Sequence, residues 1–326
     1  MKLMKASVVS KRGTEGISVK SIPKPVIQDN EILIKVSYAP VTPTDLVAVK
    51  GDPMMERIFT SLVRPKTGVY GEMYVGEIEE VGSEVSNFKA GDRVYGTNGM
   101  KLGAYAEYIR VKDTTVIRKV PSNVKDIDTL ALLDGGITAL PFLREKGLIK
   151  KGQKVLVIGA SGSVGSMGVQ IAKHFKAHVT GTCSTKNLDT IKSLGCDEVI
   201  DYTKTNYKDL NETYDIIFDA VGKSSFKECS HILTAEGRYL VTVPTPSIML
   251  KNLFVKNQKG KKALFAATGL RKPNLKHIDL EFLEGLLESG EITPLVDKVF
   301  SLSEMAEAQK LVKSGRKTGN VIIKVV

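Results

Sequence analysis

Hydrophobic positions change their rhythm along this chain. In the first third they come in short runs bounded by glycine and aspartate. The segments "EILIKVSYA" (31–39), "YVGEIEEVG" (74–82) and "AYAEYIRV" (104–111) are short and partly alternating, which predicts strands rather than helices. Between the last two, "KAGDRVYG" (89–96) carries a Gly91-Asp92 turn signal. Short strands separated by glycine-rich turns predict a rolled or barrel-like β domain.

After Lys119, strand-like and helix-like runs alternate. "KVLVIGA" predicts a strand, and "SVGSMGVQIAKHF" predicts a helix with Val164, Met167, Ile171 and Phe175 on one stripe. "AHVTGTC" is the next strand. "STKNLDTIKSLG" reads as a helix capped by Ser184 or Thr185 and stopped at Gly195. "DEVIDY", "YDIIFDAVG", "RYLVTV" and "ALFAAT" predict further strands, with a helix near 226–233. This alternation predicts an α/β fold built on a doubly wound parallel sheet. The tail adds two amphipathic helices, "DLEFLEGLLESG" and "LSEMAEAQKLVKSG", and a closing strand, "NVIIKVV", expected to return to the first domain.

A length of 326 residues suits about two domains. With 42% hydrophobic and 25% charged residues, each can bury a core without disulfides or a structural metal. Cys183, Cys196 and Cys229 include no C-x-x-C pair, a pattern that fits a reducing compartment. "MKLMKASVV" lacks the apolar core of a signal peptide, and no run reaches the roughly 18 apolar residues of a membrane span. A cytoplasmic protein is therefore expected. The net charge of +11 favours anionic ligands, without choosing among a phosphorylated cofactor, an acidic substrate and nucleic acid. Part of the excess lies in Lys251, Lys256, Lys259, Lys261, Lys262, Arg271, Lys272 and Lys276, a run with no Asp or Glu, which reads as a solvated face.

The chemistry begins at "GASGSVG" (159–165). Ala160, Gly162 and Gly165 take the positions of a G-x-G-x-x-G turn, between a strand and a helix as that motif requires. The first makes the tight turn, the second admits a pyrophosphate, and the third lets the helix approach the sheet. Ala160, Ser161, Gly162, Ser163, Val164 and Gly165 thus form a candidate phosphate cradle at a helix N-terminus. An NAD-type site would place an acid at the end of the next strand. Residues 181–187 read "GTCSTKN" instead. Ser184 and Thr185 offer hydroxyls and Lys186 offers a cation, a set that suits a 2′-phosphate and therefore NADP(H).

Together, "VLVIGASGSVGSMGVQIAK", "CSTKNLDTIKSLGCDEVIDY", "GDRVYG…GAYAEYI", "TPTDLVAVKGDP…LVRPK" and "GEITPLVDKVFSLSEMAEAQKLVKSGRKTGNVII" resemble the medium-chain dehydrogenase/reductase superfamily over nearly the whole chain. The resemblance points to the zinc-free quinone oxidoreductase, or zeta-crystallin-like, branch. It implies a β-rich GroES-like catalytic domain (1–118 and 269–326) around a Rossmann domain (119–268), with cofactor between them. It implies further cofactor contacts at Thr138, Tyr202, Val221, Gly222, Val243, Gly319 and Asn320, and a homodimer or homotetramer.

The superfamily's alcohol dehydrogenases bind a catalytic zinc through a Cys that precedes a Thr-Asp pair and through the His of a G-H-E motif. The matching positions here hold Thr42 and Glu72, a poor zinc set, so no metal is expected. The histidines, His174, His178, His231 and His277, all lie in or after the Rossmann segment. Thr42 and Asp45 are the candidate catalytic residues, Thr42 as a hydrogen-bond donor near the nicotinamide and Asp45 as a site or turn residue. Tyr70, Tyr74 and Tyr95 are candidate proton donors. Without a Lewis acid, the expected substrates already accept hydride: quinones and α,β-unsaturated carbonyls. An enoyl-thioester, aldehyde or alcohol oxidoreductase of the same superfamily is the enzymatic alternative, with the basic run holding coenzyme A phosphates. A nucleic-acid-binding or crystallin-like structural role is the alternative of another class, and it lacks the basic–aromatic interleaving of single-strand binders.

Overall fold

The computed structural model describes residues 2–10, 16–50, 67–243 and 260–326. The chain forms two compact units. One comprises Met1–Asp134, Lys272–His277 and Val296–Val326, and the other Gly135–Arg271 and Ile278–Leu295.

In the first unit, β1 (Leu3–Val9) pairs antiparallel with β2 (Ile17–Pro23) as a separate ribbon. Then come β3 (Glu31–Val41), β4 (Met73–Val81), β5 (Arg93–Thr97), β6 (Tyr108–Lys112) and β7 (Val116–Lys119). Strand β3 organises this unit. One edge pairs with β4, and the other is shared between β6 and the chain's closing strand. Register shifts at Leu33/Ile34 and Val36/Tyr38 interrupt the β3–β4 ladder, and such bulges bend a strand and let its sheet roll. Ile32, Ile34 and Val36 pack with Ile78, Val94 and Ile109 in the core.

The second unit is a parallel sheet of β8 (Lys154–Ile158), β9 (His178–Cys183), β10 (Glu198–Asp201), β11 (Tyr214–Asp219), β12 (Leu233–Val241) and β13 (Lys262–Leu264). Their spatial order is β10-β9-β8-β11-β12-β13. That is the 3-2-1-4-5-6 order of a dinucleotide-binding fold, with its switch point between β8 and β11. Residues 155–158 are all buried, as a central parallel strand demands. The chain then returns to the first unit with β14 (Val296–Ser301) and β15 (Asn320–Lys324), giving the order β14-β15-β3-β4-β5-β7.

The limits of the units differ from the expected 119 and 268. The helix Asp126–Ala131 stays with the first unit, where Arg93 bonds the Asp126 carboxylate and donates to the Val124 carbonyl at 2.9 Å. The crossing comes at Asp134/Gly135, inside a π-helical turn, Leu132–Gly136. Residues 278–295 go with the second unit. There Asp279, fully buried, pairs with Arg144 and Arg271, and Gln170 exchanges two hydrogen bonds with the Thr293 backbone.

The basic run is not one solvated face. Arg271 is held by Glu145 and Asp279, and Lys276 is buried. Lys251, Lys256 and Lys259 lie outside the described residues. The helix expected near 226–233 is the single turn Phe226–Cys229 with a 3-10 turn, Ser230–Ile232, because Leu233 already opens β12.

Candidate functional site

The glycine turn leaves β8 at Gly159, whose φ of +77° is a backbone angle that favours glycine. Helix Ser163–His174 follows, with Gly162 as its N-cap and no side-chain capping bond. A Cβ built on Gly162 meets only the Gly159 carbonyl, at 3.5 Å. The backbone there is open to a ligand, while the helix N-terminus presents N–H groups and positive dipole. Gly165 is the opposite case: a Cβ on it would collide with the Gly159 carbonyl and with Ala160. One glycine keeps space open and the other permits contact. Ala160 is fully buried, and the small side chains of Ser161 and Ser163 keep the turn compact. Val164 is half-buried while Met167 and Ile171 are buried.

Beyond β9, the capping expectation is corrected. Ser184 precedes a 3-10 turn, Thr185–Asn187, without a side-chain cap bond. Thr185 gives its hydroxyl proton to Asp201 Oδ2 at 2.5 Å, and Thr203 bonds the other carboxylate oxygen at 2.6 Å. Those hydroxyls hold the Asp201 carboxyl below its usual range. Thr185 is therefore turned to the neighbouring strand, leaving half-buried Ser184 and exposed Lys186 as the phosphate candidates. Tyr202 follows Asp201, 55% exposed, with its N–H on the Cys183 carbonyl at 3.1 Å.

Thr138 is half-buried in the short helix Ile137–Pro141. The residue before that helix's cap, Gly135, would place a Cβ 2.5 Å from the Ser163 carbonyl, so this segment rests on the start of the glycine-turn helix. Val221 and Gly222 form the loop after β11, and Val243, 60% exposed, lies just past β12. All of these belong to the second unit. Gly319 and Asn320 belong to the first, at the start of β15. Gly319 accepts a bond from Lys317 Nζ at 2.6 Å, and Asn320 is buried.

In the first unit, Thr42 and Asp45 cap the helix Pro43–Lys50. Asp45 Oδ2 accepts from Thr42 N at 2.9 Å and from Thr42 Oγ1 at 2.7 Å, while Asp45 N approaches Thr42 Oγ1 at 3.4 Å. This is a capping box with proline at the first helical position. The hydroxyl proton of Thr42 is thus committed to Asp45, a correction to its expected role as a donor near the nicotinamide. Burial pushes the Asp45 carboxyl up to about 6, against the hydrogen bonds from the Thr42 backbone and hydroxyl. Of the candidate tyrosine donors, Tyr74 and Tyr95 are fully buried, and burial drives the Tyr74 hydroxyl far above its ordinary value. Tyr105 was not singled out by the sequence. Its hydroxyl donates to the Pro40 carbonyl at 3.0 Å and neighbours Asp45.

The same unit tests the fit of a catalytic zinc. Glu72 accepts the Thr97 hydroxyl at 2.6 Å and has buried Lys276 for an electrostatic neighbour. Thr42 and Asp45 are occupied with each other. The three cysteines are all in the second unit, buried, with their thiols pushed up by burial. Among the described residues no group of three His, Cys, Asp or Glu side chains could hold a metal ion. This donor set does not fit zinc.

Asp219, which ends β11 fully buried, and Asp201, which ends β10, are not marked by any motif in the sequence. For Asp219 the available signal was an acid ending an otherwise apolar strand, "YDIIFD".

Residues 28–122 match the family described as an alcohol dehydrogenase GroES-like domain, and residues 194–323 the family described as zinc-binding dehydrogenase. The chain is 31% identical to a chloroplast envelope quinone oxidoreductase homolog of Arabidopsis thaliana, over 95% of this chain and 94% of that one. It is 30% identical to a chloroplastic NADPH-dependent alkenal/one oxidoreductase of the same plant, over 99% and 80%. The solved quinone oxidoreductase of Coxiella burnetii superposes with a TM-score of 0.87 at 26% identity, covering all of both chains. The expected cytoplasmic location does not stand against these relatives: both plant proteins carry chloroplast names, and others carry chloroplast or mitochondrial ones. Among the described residues, no helix is long and apolar enough to cross a membrane.

Proposed function

We propose a function from the premise that the chain belongs to the medium-chain dehydrogenase/reductase superfamily, in its quinone oxidoreductase branch: it reduces quinones or α,β-unsaturated carbonyls with NADPH. The observation that carries the cofactor half is the pairing of an open Gly162 backbone with Ser184 and Lys186 at the end of the next strand. NADPH bound there supplies a hydride.

The turn from Ala160 to Gly165 holds the pyrophosphate through backbone N–H groups at the start of the helix. Ser184 and Lys186 hold the 2′-phosphate, Lys186 as a charge and Ser184 as a directed donor. Tyr202, on the adjacent strand end, flanks the adenosine. Thr138, Val221, Gly222 and Val243 bound the remainder in the second unit.

The substrate half follows from the first unit's donor set. Thr42 and Asp45 are hydrogen-bonded to each other and Glu72 to the Thr97 hydroxyl, a donor set that does not suit zinc. Such a site lacks a Lewis acid to activate an ordinary ketone or alcohol, so it suits acceptors whose own conjugation delocalises the incoming charge. The small-molecule reaction is carried out by a homodimer or homotetramer, which light scattering tests.

The deciding assay follows loss of reduced nicotinamide absorbance with a panel of quinones and enones. Turnover with NADPH exceeds that with NADH and survives dialysis against a chelator. Faster turnover with NADH would reject the 2′-phosphate site. Loss of activity on chelation, restored by zinc, would reject the metal-independent reading.

A further inference from the structure

The residue that ends β11, Asp219, accepts hydrogen bonds from the loop that follows it and from β12. Asp219 is fully buried. Its Oδ1 accepts from the N–H groups of Val221 at 3.1 Å and Gly222 at 2.7 Å, with Lys223 N at 3.4 Å. Its Oδ2 accepts from Ser224 N at 3.0 Å and from the Tyr239 hydroxyl at 2.8 Å. The loop after β11 is therefore curled around one carboxylate, so that successive backbone N–H groups converge on it. Convergent N–H groups make an anion-binding concavity, and here the chain supplies the anion itself. Charge-assisted bonds of this kind are stronger than neutral ones, and they offset the burial of the carboxylate.

This loop touches both neighbouring parts of the crevice. A Cβ on Gly159, at the head of the glycine turn, would lie 2.6 Å from Val221 Cγ1. Gly222, with φ of +65°, sits so close to Val243 that a Cβ would lie 2.7 Å from that residue's Cβ. Val221 is thus packed on the turn and Gly222 on the residue past β12. Strand β11 lies across the switch point from β8, β9 and β10. In a fold made of two mononucleotide-binding halves, the β8–β10 half carries the adenosine and its 2′-phosphate. The β11 loop consequently faces the nicotinamide half.

We propose that Asp219 is a positioning residue for that half: its carboxylate fixes Val221 and Gly222 where the nicotinamide nucleotide must pass, and Tyr239 fixes the carboxylate. This rests on the NADPH reading above. The need is for an acceptor on both oxygens. An Asn at 219 keeps the shape but turns one oxygen into an N–H donor aimed at other donors.

The test is direct binding rather than turnover, using Asp219→Asn and Tyr239→Phe in the full chain. Calorimetric titration with NADPH and with 2′,5′-ADP, which has the adenosine half alone, is paired with thermal melting. Asp219→Asn weakens NADPH at least tenfold and leaves 2′,5′-ADP within twofold. Tyr239→Phe shifts NADPH in the same direction by about threefold, the loss of one hydrogen bond. A folded Asp219→Asn that binds both ligands as wild type does overturns the proposal. So does equal weakening of both ligands, which a merely structural role would produce. If Asp219→Asn does not fold, wild-type NADPH affinity in Tyr239→Phe overturns it. Wild-type protein that binds neither ligand removes the cofactor reading and this proposal with it, a pattern distinct from the others.

Discussion

Thr185 and Asp201 join two neighbouring strand ends: the Thr185 hydroxyl donates to Asp201 Oδ2 at 2.5 Å, just beyond the point where Cys183 and Asp201 stand side by side in the β9–β10 register. An acid thus stands at the end of β10, one strand removed from where an NAD-type site carries it, and its oxygens are taken by Thr185 and Thr203. Under the proposed NADPH reading, cofactor choice rests on Lys186 and Ser184. Replacing Lys186 by Ala raises the KM for NADPH about tenfold, the value of one exposed charge-assisted contact, and leaves the KM for NADH within about twofold. Thr185→Val moves neither KM beyond about twofold. Initial rates with both cofactors measure this, and a loss of NADPH affinity in Thr185→Val would show that Thr185 serves the phosphate.

The two glycines of the turn separate stability from binding. In Gly165→Ala the new methyl meets the backbone of Gly159 and Ala160, so the helix must back away from the sheet. Overpacking of this kind costs roughly 1–3 kcal/mol and lowers the Tm. In Gly162→Ala the methyl meets only one carbonyl at 3.5 Å, so the Tm changes little while NADPH affinity falls at least tenfold. Melting curves with and without NADPH distinguish the two, and equal Tm losses would sink the distinction.

Asp45 makes a pH signature of opposite sign to most carboxylates. Its folded value is raised to about 6 from 3.8 by burial, so between those values the folded state keeps a proton that the unfolded state has released. Stability contributed at this site falls as pH rises through that window and is level above it. The span corresponds to about 3 kcal/mol. Asp197 and Asp92, whose carboxyls are held below their ordinary values despite desolvation, by Lys173 and Lys119 respectively, pull the other way. The measurement is therefore the wild-type stability minus that of Asp45→Asn, from urea titrations between pH 4 and pH 7 (roughly the window above). A difference that stays constant or grows with pH would contradict a raised Asp45.

The thiols are protected. Burial pushes Cys183 up to about 11 and Cys196 up to about 12, and raises Cys229 as well. Since the thiolate is the reactive form, a disulfide reagent at mild pH labels the native protein far more slowly than the denatured one, in which three equivalents react. Rapid labelling of the folded protein would mean that one of these sites opens.

Much of this was written in the linear chain. The apolar run at 155–158, the glycine spacing at 160–165 and the alternation of runs after Lys119 are local, and they fix a strand, a turn and a helix because backbone geometry and periodicity act within a few residues. The missing acid after β9 and the unsuitable zinc positions at Thr42 and Glu72 are likewise a matter of residue type. What tertiary structure alone decided is which partner each polar group takes. Thr185 turns to Asp201, Thr42 to Asp45, and Asp219 gathers the loop that follows it, because hydrogen-bond partners inside a protein are set by burial and by which strands become neighbours. The boundaries moved for the same reason. Residues 119–134 stay with the first unit through Arg93, and residues 278–295 join the second through Arg144 and Gln170. Those contacts join residues far apart in sequence, and no periodicity along the chain records them.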